Sequence, residues 1–218
     1  MTTKVQICNL ALGRIGINQY IEDIDDPNDK ARACKQFYDL CRQQALQDFP
    51  WNFARAVVAL AELTTDPPPG WPFAYRYPTD CLQVRALCDE DGNGVRSAMI
   101  ASVSSWDEWS GLIATRYPWQ VQADPNEAGA RLIATDLEDA YCWYTVDVTE
   151  PNQFSPLFVS ALAWRLAAEL AGPLRADARL RDAAEQQYVY IQSKAAAGSL
   201  NEEQVDRAPE SPSILARL

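Results

Sequence analysis

The sequence predicts an α+β fold that is mainly helical: a bundle of about four helices, an inserted β-rich region and an extended C-terminal arm. Apolar residues recur at helical spacing near both ends of the chain, whereas apolar and polar residues alternate with a period of two in the middle. The end of the chain is mostly polar and contains two prolines, so it holds too few apolar residues to fold alone. The predicted parts are 1–55 and 151–198 for the two halves of the bundle, 56–150 for the β-rich region and 199–218 for the arm.

The first helix is predicted from Lys4 to about Arg14. Thr3 and Gln6 have the spacing of a capping box, in which the two side chains satisfy free backbone amides. Its buried side is predicted to consist of Ile7, Leu10, Ala11 and Ile15. Gly13 should weaken this helix and Gly16 should end it, since glycine often follows a helix C-terminus.

The stretch 26–54 contains a long amphipathic pattern, and we expect its helix to be the one on which the other elements pack. Asp26 is the predicted N-cap, and Pro27 suits the first helical position, where no amide hydrogen is needed. The buried face is predicted to be Ala31, Cys34, Tyr38, Cys41 and Ala45, flanked by Phe37 and Leu46. The polar residues expected to lie elsewhere are Asp39, Arg42, Gln43 and Gln47.

This helix should stop at Phe49, because a residue before proline is pushed out of helical geometry. Trp51 and Phe53 follow at once, and two large aromatic side chains at a helix end have to be buried against another element. They are the predicted structural anchors of the fold.

The middle of the chain is predicted to be β-rich. A short apolar run, 56–60, is expected to be a buried strand, and 64–72, with three consecutive prolines, an exposed loop. A turn is predicted at 89–94. Further strands are predicted at 73–77, 80–87, 95–103, 119–123, 131–135 and 140–148.

Helical spacing resumes after Ser155, a predicted cap, with Pro156 at the first helical position. Its apolar stripe is predicted as Val159, Leu162, Leu166 and Leu170. Gly172 and Pro173 should stop this helix. A final helix at about 177–197 is expected to bury Leu180, Ala184, Tyr188, Ile191 and Ala195.

The chain is acidic, with a net charge of −11 and no histidine among 218 residues. Such a chain lacks the basic surface that grips nucleic-acid phosphates. It is compatible with a wall past which nucleic acid slides, because weak repulsion prevents sticking.

Six cysteines are present, and two of them, Cys34 and Cys41, are expected on the core face of one helix, where reduced cysteines act as small apolar residues. Disulfides are the alternative. No run is expected to approach the roughly 18 apolar residues of a membrane span. We therefore expect a protein without a membrane segment, made in a reducing cytoplasm.

Residues 89–94 match the first half of a calcium-binding EF loop, but the twelfth position, which needs a glutamate, is Ile100. Asn93-Gly94 is equally a hairpin turn signal, and the turn is the preferred interpretation. The acidic cluster Glu22, Asp23, Asp25, Asp26 and Asp29 lacks the glycine of such loops. We predict no metal site and no cofactor.

No catalytic residues are predicted. Without histidine there is no Ser-His-Asp triad, zinc helix or imidazole base. Asp107 and Glu108 lie between Trp106 and Trp109 and are the best carboxylate pair for sugar chemistry. An exposed turn whose tryptophans pack inward explains the same residues, so we expect a protein that is not an enzyme.

Several stretches together resemble one protein family. Residues 5–16 read Val-Gln-Ile-Cys-Asn-Leu-Ala-Leu-Gly-Arg-Ile-Gly, and they are followed by 33–45 and by 49–54, Phe-Pro-Trp-Asn-Phe-Ala. Residues 154–159, Phe-Ser-Pro-Leu-Phe-Val, and 161–170 continue the pattern. This ordered set resembles the head-to-tail adaptor proteins of short-tailed bacteriophages, also called tail tubular protein A.

The resemblance implies a helical bundle interrupted by a β-rich region. It also implies a structural virion protein at the head–tail junction, which forms a ring of twelve copies below the portal protein. The ring receives the tail nozzle protein beneath it, and genomic DNA passes through the lumen during ejection without specific binding.

The arm is expected to order on the portal, with Ile214, Leu215 and Leu218 as apolar anchors and Arg217 as a charge contact. An otherwise polar tail that ends in exposed aliphatic residues loses solubility unless a partner covers them. A merely disordered terminus is the alternative. Two other functions stay open for the chain: a tail-associated peptidoglycan hydrolase, and a binding module acting in the host.

Overall fold

The computed structural model describes residues 2–92 and 117–202, and these form the predicted α+β fold, mainly α. Four helices lie within this part of the chain: α1 (Lys4–Arg14), α2 (Asp29–Gln47), α3 (Pro156–Arg175) and α4 (Ala178–Asn201). Six strands lie between α2 and α3: β1 (Arg55–Ala59), β2 (Phe73–Arg76), β3 (Cys81–Cys88), β4 (Trp119–Ala123), β5 (Arg131–Thr135) and β6 (Tyr141–Val146).

The central element of the bundle is α3, because it packs against α1, α2 and α4, while α1 and α2 touch each other at few points. The expectation that the other elements pack on α2 is therefore wrong.

The predicted apolar stripe of α3 is buried, and several alanines of the same helix allow close approach of its neighbours. The stripe consists of Val159, Leu162, Leu166 and Leu170. By length and composition α3 could also cross a membrane, contrary to the expectation for this chain, but a core helix that is mostly buried, as α3 is, passes the same test.

Helix α1 has both predicted end signals. The Thr3 side chain accepts from the Gln6 amide, and the Gln6 side chain accepts from the Thr3 amide, which completes the capping box. At the other end Gly16, with φ +75°, donates to Gly13, and the Ile17 amide returns 3.0 Å to the Leu12 carbonyl. These two bonds are a Schellman ending. Leu10, predicted to be buried, is 48% exposed, and Leu12 takes its place in the core.

We expect Gly16→Ala to destabilise the protein by about 1–2 kcal/mol, because an L side chain is strained at a left-handed φ. Gly13→Ala is the matched control. It lies inside the same helix with open space around its Cβ position, so it should stabilise by about 0.5–1 kcal/mol. Urea denaturation of the two variants measures both effects. If Gly16→Ala stabilised the protein as Gly13→Ala is expected to do, the left-handed turn at Gly16 would not be present in solution.

Helix α2 begins later than predicted. Its N-cap is Asn28, whose side chain accepts from the Ala31 amide at 2.9 Å. Asp26 instead accepts from the amides of Glu22 and Asp23, so its carboxylate closes the preceding loop. The prediction of Asp26 as N-cap and Pro27 as first helical residue is wrong. The end of α2 is as predicted, since its last helical residue, Gln47, comes before Phe49.

The predicted stop at Gly172 and Pro173 is also wrong. Pro173 lies in the last turn and removes one intrahelical hydrogen bond there, yet α3 continues to Arg175 and is followed by Ala176 with φ +51°. Asp177 then caps α4 by accepting from the amides of Arg179 and Leu180. Helix α4 runs four residues beyond the predicted end, to Asn201, and so includes the first residues assigned to the arm.

The strands form two three-stranded antiparallel sheets, in the orders β1-β6-β3 and β2-β5-β4. The two sheets share an apolar core that includes Tyr75, Val84, Ile133, Cys142 and Tyr144. Residues 61–63 continue the second sheet beyond β2 through the Leu63–Ala74 and Arg76–Ala61 backbone bonds.

Strand β1 was predicted to be buried, and it is an edge strand instead. Val57 and Val58 are 46% and 36% exposed, because β1 has a partner, β6, on one side only within the described residues. The predicted strand at 95–103 and the second half of the 89–94 turn lie outside the described residues.

Candidate assembly interface

Five aromatic rings pack together where the bundle meets the sheets. Trp51 contacts Phe49, Phe53 and Phe158 at centroid distances of 5.0, 6.0 and 5.1 Å. Phe154 and Phe158 stand 4.9 Å apart and both contact Phe53. We call this set the aromatic junction. Most of the pairs are edge-to-face, an arrangement that ring quadrupoles favour.

Trp51 is the largest side chain of the aromatic junction and is almost fully enclosed, with 1% of its surface exposed. Its indole Nε1 donates to the Ala45 carbonyl at 2.8 Å, so the buried polar atom has a partner. The bond also satisfies a carbonyl of the last turn of α2. The tryptophan therefore ends the helix and fills the core with the same side chain. Phe53, the other predicted anchor, is partly buried.

Arg42 joins α2 to the end of β6. Although it was expected to lie off the buried face, only 3% of its side chain is exposed. Its Nη1 donates to the Asp147 carboxylate and, at 2.7 Å, to the Val148 carbonyl. Gln43 Nε2 donates to the other Asp147 oxygen at 3.0 Å. The ionic contact explains how a guanidinium is tolerated in this position.

The carboxylate of this pair is charged over a wider pH range than usual. Burial alone would raise the pKa of Asp147, but the hydrogen bonds from Arg42 and Gln43 and the charge of Arg42 outweigh it and lower the pKa. A group with a depressed pKa stabilises the fold above its unfolded-state pKa and loses that contribution as the pH falls through the folded value. The link between α2 and β6 should therefore weaken only in acid.

A second arginine fastens the sheet to the same helix. Arg85, on β3, donates through Nη2 to the carbonyls of Leu46 at 3.4 Å and Gln47 at 2.8 Å, and through Nε to Thr145 Oγ1 at 2.9 Å. A cation at a helix C-terminus interacts favourably with the helix dipole. Arg42 and Arg85 thus hold the bundle and the first sheet together.

The end of α4 lies against the aromatic junction. The Asn52 amide donates to Ser199 Oγ at 3.2 Å, and Asn52 Nδ2 donates to the Ser199 carbonyl at 2.5 Å. About three turns earlier in α4, the Tyr188 hydroxyl donates to the Asp48 carboxylate. The chain therefore leaves the described part of the structure beside the segment that connects α2 to β1.

Large apolar side chains are exposed on several elements. They are Leu10, Tyr20, Leu40, Val57, Val58, Leu157, Val189 and Tyr190. They are spread over all four helices, a loop and β1, and single exposed apolar side chains of this kind are ordinary on a protein surface.

Acidic residues around the start of α2 have partners on that helix. Asp25, in the preceding loop, pairs with Lys35, and Asp29, the first residue of α2, pairs with Arg32. The 89–92 turn is closed by a Gly92–Asp89 backbone bond, and Tyr117 donates to the Asp89 carboxylate at 2.9 Å. In the described part of the chain no group of three metal-binding side chains is placed to hold an ion.

All six cysteines lie within the described residues, and all are free and buried. Burial raises the pKa of the Cys41 thiol to about 12, and it also raises the pKa of Cys81, Cys88 and Cys142. A thiol is nucleophilic only as the thiolate. These side chains are therefore core residues.

We expect a disulfide reagent such as 5,5′-dithiobis(2-nitrobenzoate) to label none of the six cysteines of the native protein within minutes at pH 8. After unfolding in guanidinium chloride all six should react, because every thiol is then open to the reagent and has the pKa of about 8.5 of a free cysteine. Absorbance of the released thiol counts the labelled groups. Fast labelling of the native protein would contradict the buried positions.

The other predicted candidates lie outside the described residues. These are the arm residues Ile214, Leu215, Arg217 and Leu218 and the carboxylate pair Asp107 and Glu108 with its tryptophans Trp106 and Trp109. The residues that sequence reasoning missed are Arg42, Arg85 and the pair Asn52–Ser199. Arg42 had a visible signal, because it lies four residues after Tyr38 and three before Ala45 on the buried side of α2.

No protein-family model matches this chain, and no curated protein matches it.

Proposed function

We propose that this protein is a head-to-tail adaptor of a short-tailed bacteriophage: a structural subunit that forms a ring under the portal, of twelve copies as the resemblance implies, and carries the tail nozzle. DNA passes through the lumen of this ring without being held. The protein acts through its surfaces and has no catalytic role, and it takes its place at the head–tail junction after synthesis in the host cytoplasm.

One observation carries the proposal. Two of the stretches that carry the resemblance, 49–54 and 154–159, lie about a hundred residues apart, and their aromatic residues form a single packed cluster, the aromatic junction. This contact supports the proposal, because it places both stretches in one part of the core.

Two further features support the proposal. Arg42 and Arg85 tie the bundle to the first sheet, so these two parts of the chain can act as one structural unit of a ring. The net charge of −11 suits a DNA passage, because like charges around a lumen oppose adhesion of the phosphate backbone. Contact with the portal is assigned to the arm, through Ile214, Leu215, Arg217 and Leu218.

The test is the mass, by light scattering on a sizing column, of this protein mixed with the portal protein encoded in the same genome. We expect a complex with about one copy per portal subunit. A chain truncated after residue 202 is the sharper control than one truncated after 198, because Ser199 is part of the folded bundle. It should stay folded and fail to join the portal.

Two unchanged peaks from the full chain would overturn the adaptor proposal. Clearing of peptidoglycan in a zymogram would then favour the hydrolase function. A protein that stays monomeric with every portal, is absent from virions and gives no clearing would favour a host binding module.

A further inference from the structure

The last turn of α4 is held by a residue from another element. Helix α4 passes through Gly198, a poor helix former, and ends at Asn201. The last four carbonyls of a helix have no partner within it. Asn52 adds a donor from outside the helix, since its Nδ2 donates to the Ser199 carbonyl, which also accepts from the Glu202 amide at 3.2 Å, and the Asn52 backbone amide donates to Ser199 Oγ.

Asn52 is itself placed firmly. It begins a short 3-10 turn, Asn52–Ala54, which leads directly into β1. The residue before it, Trp51, is buried in the aromatic junction. Gly198 lies against α3, where a Cβ added to it would stand 3.7 Å from Leu157 Cδ1. The end of α4 is therefore docked between the α2–β1 connection and the start of α3.

We propose that Asn52 is a positioning residue for the C-terminal tail: by holding Ser199 it fixes the end of α4, the element that precedes residues 203–218. The proposal rests on the function given above, in which this tail binds the portal. When the end of α4 is already ordered in the free protein, less conformational entropy is lost on binding.

The experiment compares Asn52→Ala with Asn126→Ala, whose exposed side chain lies in the turn between β4 and β5. Hydrogen exchange in the free protein reports the order of the last turn of α4. With Asn52→Ala its amides should exchange about two- to tenfold faster, the effect of one hydrogen bond. Asn126→Ala should leave them unchanged, and the core of α3 should stay protected in both.

Portal affinity is the second readout. Asn52→Ala should bind the portal about two- to tenfold more weakly, and Asn126→Ala should bind like the unmodified chain. Adding Gly198→Ala to Asn52→Ala should restore both the exchange protection and the affinity, because alanine favours the helix and its Cβ meets Leu157 at an ordinary contact distance. A contact that merely supported the α2–β1 connection would not be rescued from position 198.

Two results would overturn the proposal: unchanged exchange in the last turn of α4, or faster exchange with full portal affinity. If the unmodified chain fails to bind the portal, the adaptor function fails instead, and the exchange experiment still decides whether Asn52 orders the end of α4. The two failures are therefore distinguishable.

Discussion

Trp51→Ala should destabilise the protein by about 3–5 kcal/mol, the range measured for large aromatic residues truncated in a core. The substitution empties the middle of the aromatic junction, where Trp51 contacts three other rings. It also leaves the Ala45 carbonyl without its donor. Since domains are stable by about 5–15 kcal/mol in total, this loss is a large share of the free energy of unfolding. Guanidinium denaturation followed by circular dichroism measures the loss.

Two further variants serve as comparisons for Trp51→Ala. Tyr20→Ala removes an aromatic ring that is 69% exposed, and it should change the free energy of unfolding by less than about 0.5 kcal/mol. Trp51→Phe keeps part of the ring packing but loses the indole donor, so it should fall between the two. If Trp51→Ala cost no more than Tyr20→Ala, the aromatic junction would not be part of the folded core.

Arg42→Met should destabilise by about 2–4 kcal/mol, because it leaves the Asp147 carboxylate and the Val148 carbonyl without a cationic donor. We place the value below that of a fully enclosed pair because Asp147 is 29% exposed and can recover some hydration. Methionine is chosen because it retains most of the side-chain length and volume. Urea denaturation at pH 7 measures the effect.

The matched control is Arg32→Met on the same helix. Arg32 and Asp29 pair on the surface with 72% and 84% of their side chains exposed, and exposed pairs contribute about 0–1 kcal/mol. The double variant Arg42→Met, Asp147→Asn should recover part of the loss, because no carboxylate charge is then left unpaired. Equal effects of the two single Arg→Met changes would show that Arg42 has no special role in joining α2 to β6.

Helices were predicted well wherever local chemistry decides. The capping box at Thr3, the buried stripe of α2 and the Ser155-Pro156 start of α3 depend on residues within one or two turns of each other. Errors of boundary arose where two local signals compete. Asp26 and Asn28 are both good caps, and Asp26 is used by the loop.

Properties that depend on distant partners could not be predicted from the same patterns. The strand at 55–59 is as apolar as a central strand, and only the sheet order reveals that one of its sides is open. The burial of Arg42 depends on Asp147, 105 residues away. Which polar residues join the bundle to the sheets, and where α4 docks, follow from tertiary contacts that no local spacing encodes.

The position of α3 also determines when the protein can fold during its synthesis. Helices α1 and α2 make few contacts with each other, and both bury their apolar faces on a helix that starts at Pro156. At about 5–20 residues per second, the ribosome needs about 5–20 s to pass from the end of α2 to the start of α3. For that time the nascent chain displays an apolar helix face and Trp51 with nothing to cover them, which is the form that chaperones bind. The bundle can therefore complete its folding only after α3 has been translated.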